Sequence, residues 1–270
     1  MKSGHLEQPF SLVLSGGGAL SIAHLGVLYD LEKLHMAPRE IIGTSMGGII
    51  GACAAIGMRE NEIRSHISSF SGLLNWVKFS FSGNAVVSNN KIEEIFDNIF
   101  GKRKIKETKI PLKLIATSLR TGHKKVFDRS DDVTITDALL CTIAIPGIFD
   151  EHTIGDNTYA DGFLCENLGI SEAAFDTILA VDVLGKNAFD HSLPNNFFKT
   201  HNVLEMFEKS IRLLIYNQTQ NNLKNLEKKN IILLEPDTKK YKTYHFHKVD
   251  EIRAAGMGLL YGRKSHAQEL

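Results

Sequence analysis

Glu40-Ile41-Ile42-Gly43-Thr44-Ser45-Met46-Gly47-Gly48-Ile49-Ile50 is the stretch on which the reading of this chain turns. Glu40 to Gly43 reads as a short strand, and Met46 to Ile56 reads as a helix of small residues able to pack closely on a sheet. Between them Gly43-Thr44-Ser45-Met46-Gly47 fits G-x-S-x-G, the pattern of a nucleophile elbow. That chemistry needs a serine on a sharp strand-to-helix turn, where its hydroxyl projects freely and the next amide N–H faces the reacting carbonyl. Gly43 and Gly47 flank Ser45 because a Cβ would clash in so tight a turn. The pattern recurs by chance in a chain with 22 glycines, so its weight comes from the strand before it and the helix after it. Taken without that context, Ser45 is a helix cap.

Working outward, Phe10 to Leu14 is an apolar run that suits a buried strand, and Ala23, Val27, Leu31 and Leu34 recur at helical spacing after it. Downstream, Ile92, Ile95, Phe96, Ile99 and Phe100 mark one face of an amphipathic helix. Leu112 to Thr117 and Lys124 to Phe127 read as strands joined by a turn at Thr121-Gly122. Thr136 to Thr142 reads as a helix ending ahead of Pro146. Thr177 to Val183 is the clearest buried strand. Val203, Phe207, Ile211 and Leu214 predict a long helix, Ile231 to Leu234 a last strand, and Ile252, Ala255 and Leu259 a closing helix. Strands alternating with helices predict an α/β fold, a three-layer α/β/α arrangement on a mostly parallel central sheet. One domain over residues 1–270 is expected, with the strand and helices of 198–267 completing it. Gly185 to Asn196 and Phe70 to Asn90 read as loops, the second carrying Trp76, Phe79 and Phe81 as lid or core aromatics.

Lys+Arg and Asp+Glu are equal at 31 each, so no global field draws the chain to nucleic acid or to an anionic membrane. Met1 to Pro9 is polar and no run of about 18 apolar residues occurs, so no cleavable leader and no membrane span are expected, and a cytoplasmic location is expected. Cys53, Cys141 and Cys165 fit no metal-binding spacing and read as buried free thiols. Neither a metal nor a cofactor is expected, and nothing in the sequence speaks to oligomeric state.

Ser15-Gly16-Gly17-Gly18 lies between the first strand and the first helix. Ser21 stands where a dinucleotide fingerprint needs its third glycine, the second strand ends without an acid, and no Gly-Lys-Ser/Thr follows. Two readings remain, a tight turn and an oxyanion hole built from the Gly16, Gly17 and Gly18 amides. The loop ends strand one and the elbow ends strand two, which puts both at the carboxyl edge where open α/β sheets bind ligands.

Four stretches together resemble the patatin-like phospholipases. They are Leu14-Ser15-Gly16-Gly17-Gly18-Ala19 continuing through Ala23 to Leu28, Gly43-Thr44-Ser45-Met46-Gly47, Ala144-Ile145-Pro146-Gly147-Ile148-Phe149, and Tyr159-Ala160-Asp161-Gly162. The resemblance implies a Ser-Asp dyad in which Asp161 activates Ser45. It also implies oxyanion donors from the glycine loop and Met46, and a lipid or ester substrate met by peripheral contact at the membrane's inner face. Without it, Asp161-Gly162 is a turn dipeptide, and Asp182 is the alternative carboxylate. Leu20-Ser21 replace the family's frequent Arg/Lys-Gly, and Phe163 and Asn167-Leu168-Gly169 depart from its later pattern. His191, His201, His245, His247 and His266 leave room for a histidine-dependent acyltransferase. A catalytically weak lipid-binding or regulatory module is the other rival.

Overall fold

The computed structural model describes residues 8–74, 89–188, 200–226 and 229–261. Eight strands form one sheet: β1 (Phe10–Leu14), β2 (Glu40–Thr44), β3 (Leu112–Ser118), β4 (Lys124–Phe127), β5 (His152–Ile154), β6 (Asn157–Asp161), β7 (Thr177–Val181) and β8 (Asn230–Leu234). Described helices are α1 (Ala23–Lys33), α2 (Ser45–Ala55), α3 (Glu60–Leu74), α4 (Asn89–Phe100), α5 (Ile135–Ile143), α6 (Thr200–Lys224) and α7 (Val249–Gly256).

Strands β3, β2, β1, β7 and β8 run parallel in that spatial order. Strand β4 and the β5–β6 hairpin are antiparallel and join at β3, so the sheet is mixed at that flank. Alternation along the buried strands assigns the two faces. Leu12, Leu14, Ile41, Leu112, Leu114, Leu179 and Val181 face a core completed by residues of α1, α2 and α5. Val13, Ile42, Ile115, Ile178 and Ala180 face the other side, where Leu168, Ile170 and Leu223 of α6 cover them. Helices thus cover both faces, as the alternating pattern predicts.

Several boundaries move. The strand expected to reach Val183 ends at Val181, and the closing helix ends at Gly256, before Leu259. Phe70 to Leu74, expected as loop, belongs to α3, a helix the sequence reading passed over. Asn89 and Asn90 of that loop open α4, and residues 75–88, Trp76, Phe79 and Phe81 included, lie outside the described residues, as do residues 189–196 of the other. The β5–β6 hairpin was not expected; its strands are three and five residues long. Cys53 and Cys141 are buried free thiols, but Cys165 is only half-buried, its Sγ 3.3 Å from the Gly122 carbonyl oxygen. No helix among the described residues is long and apolar enough to cross a membrane.

Candidate active site

Strand β2 ends at Thr44, and Ser45 opens α2 with φ 53. That left-handed value is rare for a residue with a side chain and is stored strain, held here by its surroundings. Gly47 shows why the turn is closed to larger residues: a Cβ there would lie 2.4 Å from the Ser15 carbonyl oxygen and 2.5 Å from that of Leu14. Gly43, the residue before the end of β2, lies under the same helix, where a Cβ would come within 2.5 Å of Gly48 Cα. The Ser45 N–H donates to Thr142 Oγ1 at 2.9 Å, and that hydroxyl donates onward to the Ile115 carbonyl. The elbow is therefore pinned between α5 and β3.

Register brings Asp161 to this point. Ile115 pairs with Thr44 and with Val126, while the next residue, Ala116, pairs with Lys125 and with Asp161. A strand has two edges, and β4 runs along one of them. Strands β2 and β6 therefore meet end to end on the other, with Thr44 and Asp161 at consecutive positions. Asp161 is fully buried and caps the short 3-10 turn Gly162–Leu164, its Oδ1 accepting the Phe163 N–H at 3.0 Å. Its main chain is fixed by Thr117 Oγ1, which donates to its carbonyl at 3.0 Å, and by the Ala144 carbonyl, which accepts its N–H at 2.9 Å. Oδ2 closes no hydrogen bond among the described residues. Burial pushes the carboxyl up to about 7, against the opposing pull of the nearby Ser45 hydroxyl and the Phe163 amide. Gly162 follows directly and lies against the Ile115 main chain.

Asp182, the alternative carboxylate, is also buried and raised to about 7 by burial. It stands past the end of β7, accepting the Leu184 N–H at 3.0 Å beside Ser15, beneath the glycine loop. The shift alone does not separate the two carboxylates; the register at β3 does.

The glycine loop crosses in front of the elbow, and a Cβ on Gly16 would come within 2.9 Å of Ser45 Cβ. The Gly16 N–H donates to the Asn167 carbonyl at 3.4 Å, a long bond, and Ala19 N–H donates to that of Thr243 at 2.7 Å. Among the described residues, no acceptor faces the N–H groups of Gly17, Gly18 or Met46, and the last two residues line the same cleft as Ser45. Beneath the loop, buried His24 sits 2.8 Å from the Ser15 carbonyl oxygen, its ring pushed down to about 4 by burial and so neutral at pH 7.

The cleft in front of Ser45 is open to solvent, with a cavity volume of about 60 Å³. Its walls are Met46, Ile49, Ile92, Ile95, Phe96, Ile143, Ile145, Phe149 and Phe246, and no histidine lines it among the described residues. Phe246 had no signal in the sequence. His245 and His247, which flank Phe246, lie where the chain turns. The His245 ring accepts the Lys242 N–H at 3.2 Å, and His247 is exposed. His191 and His266 and the side chain of His201 lie outside the described residues. Thr142, Asn167 and Gln218 also support the site and were not anticipated in these roles.

Residues 12–174 match the sequence model of a family described as patatin-like phospholipase. An uncharacterized NTE family protein of Mycobacterium tuberculosis is 30% identical over 183 residues, covering 66% of this chain and 50% of that protein. A lysophospholipase NTE1 of Debaryomyces hansenii is 26% identical over 281 residues, covering 93% of this chain and 18% of that protein. The chain thus spans half the length of the first relative and less of the second. Among solved structures, VipD from Legionella pneumophila aligns with a TM-score of 0.48 at 12% identity, over 94% of this chain and 65% of that one.

Proposed function

The chain belongs to the patatin-like phospholipase family, and from that premise we propose that it hydrolyses acyl esters of lipids, with Ser45 as nucleophile and Asp161 as base. The observation that carries this reading is the register at β3, which sets the elbow and the buried carboxylate at consecutive positions of one edge.

Asp161 Oδ2, buried and without a partner, takes the hydroxyl proton as Ser45 Oγ attacks the ester carbonyl carbon. The N–H groups of Gly17, Gly18 and Met46 donate to the oxyanion; Gly16, whose N–H is engaged with Asn167, shapes the loop. The tetrahedral intermediate collapses, Asp161 returns the proton to the departing alkoxide, and an acyl-Ser45 ester remains. Water then attacks that ester with Asp161 again taking a proton, releasing the fatty acid and restoring the serine.

An apolar cleft beside a single hydroxyl suits a fatty-acyl chain, and a phospholipid or lysophospholipid is the proposed donor. Such a donor is met at a membrane surface, so peripheral contact from the cytoplasmic side belongs to the same proposal.

The test is turnover of a short-chain chromogenic ester and of lysophospholipid in vesicles, comparing the parent with folded Ser45→Ala and Asp161→Asn. Loss of nearly all turnover in both variants is expected. A parent inert on both substrates would favour a lipid-binding module, and full activity in Asp161→Asn would favour a histidine-dependent acyl transfer.

A further inference from the structure

Gln218 stands on α6, outside the segment matched by the family model, on the sheet face opposite α2. Its half-buried side chain gives every polar function it has to the loop that follows Asp161. Oε1 accepts the Asn167 N–H at 2.9 Å, and Nε2 donates to the carbonyls of Cys165 at 2.8 Å and Phe163 at 3.3 Å. The two outer contacts bear directly on the site. Phe163 is the residue whose N–H holds Asp161 Oδ1. Asn167 reaches onward, its Nδ2 donating to the Gly16 carbonyl at 3.2 Å while its own carbonyl accepts the Gly16 N–H.

We infer that Gln218 is a positioning residue that bridges the proposed base and the glycine loop, setting the Phe163 peptide on one side and Asn167 on the other. The inference rests on the reading of Asp161 as base. A side-chain amide suits the task because it supplies one acceptor and two donors in a plane. Other anchors hold different parts of the same loop: Lys124 pairs with buried Glu166 at 2.5 Å, and Thr44 Oγ1 donates to the Glu166 carbonyl at 3.3 Å. Among the described residues, burial, the Ser45 hydroxyl on α2 and the Phe163 amide set the proton affinity of Asp161. No charged side chain contributes, and the charges on the same loop are one cluster in which Lys124 is shared between Glu166 and Glu172. Releasing the loop admits water to Asp161, and because burial is the largest of these causes the proton affinity falls although a weakened Phe163 amide bond acts the other way; a new negative charge beside the loop raises it.

The experiment measures kcat, KM and the acid limb of the kcat profile on a short-chain ester, with thermal melts, for the parent, Gln218→Met, Gln218→Glu and Asp161→Asn. Methionine keeps the length and removes all three hydrogen bonds; glutamate keeps the acceptor alone. Gln218→Met is expected to lose about tenfold in kcat with KM little changed, its acid limb moving to lower pH. Gln218→Glu is expected to lose kcat with its limb moving to higher pH, which keeps the test available if the methionine variant does not fold. An unmoved limb in both folded variants, with kcat kept or falling only as the melting temperature falls, overturns the inference while an inactive Asp161→Asn leaves the base reading standing. A fully active Asp161→Asn overturns both.

Discussion

At the scale of single residues, the proposed chemistry rests on where three side chains are placed: Ser45 in left-handed backbone, Asp161 buried beside it, and Thr142 holding the elbow amide. A base must be ionised to take a proton, so hydrolysis is expected to rise through an acid limb near pH 7, read from a kcat profile on the parent. The same shift has a consequence for stability. A carboxyl whose folded pKa exceeds its unfolded one destabilises the fold when ionised: the cost is absent below about pH 4, grows as pH rises to about 7, and is complete above that. Asp161→Asn should therefore melt higher than the parent at pH 8 and not at pH 4, while losing turnover. Thr142→Val leaves the Ser45 N–H and the Ile115 carbonyl buried without their partner, at about 1–3 kcal/mol for each. Turnover should fall with stability in that variant. The strand-to-helix elbow at Ser45 was legible in the sequence because so tight a turn demands flanking glycines. The place of Asp161 beside it came only through resemblance, since Asp-Gly by itself is a turn. Thr142, Asn167 and Gln218 were not, because which hydroxyl or amide meets a loop depends on contacts 51 to 151 positions apart in the chain.

At the scale of elements, the small-residue helix α2 and the amphipathic α4 divide the work. The first turn of α2 lies so close to the end of β1 that only glycine fits at position 47, which leaves Ser45 at the sheet edge. Helix α4 turns Ile92, Ile95 and Phe96 into the cleft, with Phe96 packed edge-on against Phe100 at 6.2 Å between ring centres. Phe96→Ala is expected to cost about 3–5 kcal/mol in chemical unfolding. It should also shift turnover toward bulkier acyl chains, checked with a series of esters of increasing chain length. The central strands were readable because strands buried on both faces are unbroken apolar runs. The β5–β6 hairpin was hidden because its outer strand has three residues and carries polar side chains. Helix α3 was hidden because Ile63 and Ile67 are its buried anchors within a polar segment.

At the scale of the whole molecule, the last described segment locks the first. Thr243 holds Ala19 beside the glycine loop, Thr238 Oγ1 donates to the Val183 carbonyl at 2.9 Å, and α7 lies against α1. Arg253 makes a two-pronged ion pair with Glu60 of α3, at 2.6 and 3.1 Å, and stacks over Tyr29. Both partners are largely buried, so Arg253→Met strands the Glu60 carboxylate and should cost about 3–5 kcal/mol in the thermal or urea midpoint. None of this long-range closure was visible in the sequence, because Arg253 and Glu60 stand 193 positions apart in the chain. The central claim for the molecule is that Ser45 is made nucleophilic by Asp161 at this one edge of the sheet. Its most direct test is covalent labelling with a fluorophosphonate, followed by intact mass and peptide mapping, on the parent, Ser45→Ala and Asp161→Asn. One adduct on the Ser45 peptide of the parent, none in Ser45→Ala and far slower labelling in Asp161→Asn is the predicted result. An adduct on another residue, or Asp161→Asn labelling at the parent's rate, would contradict it.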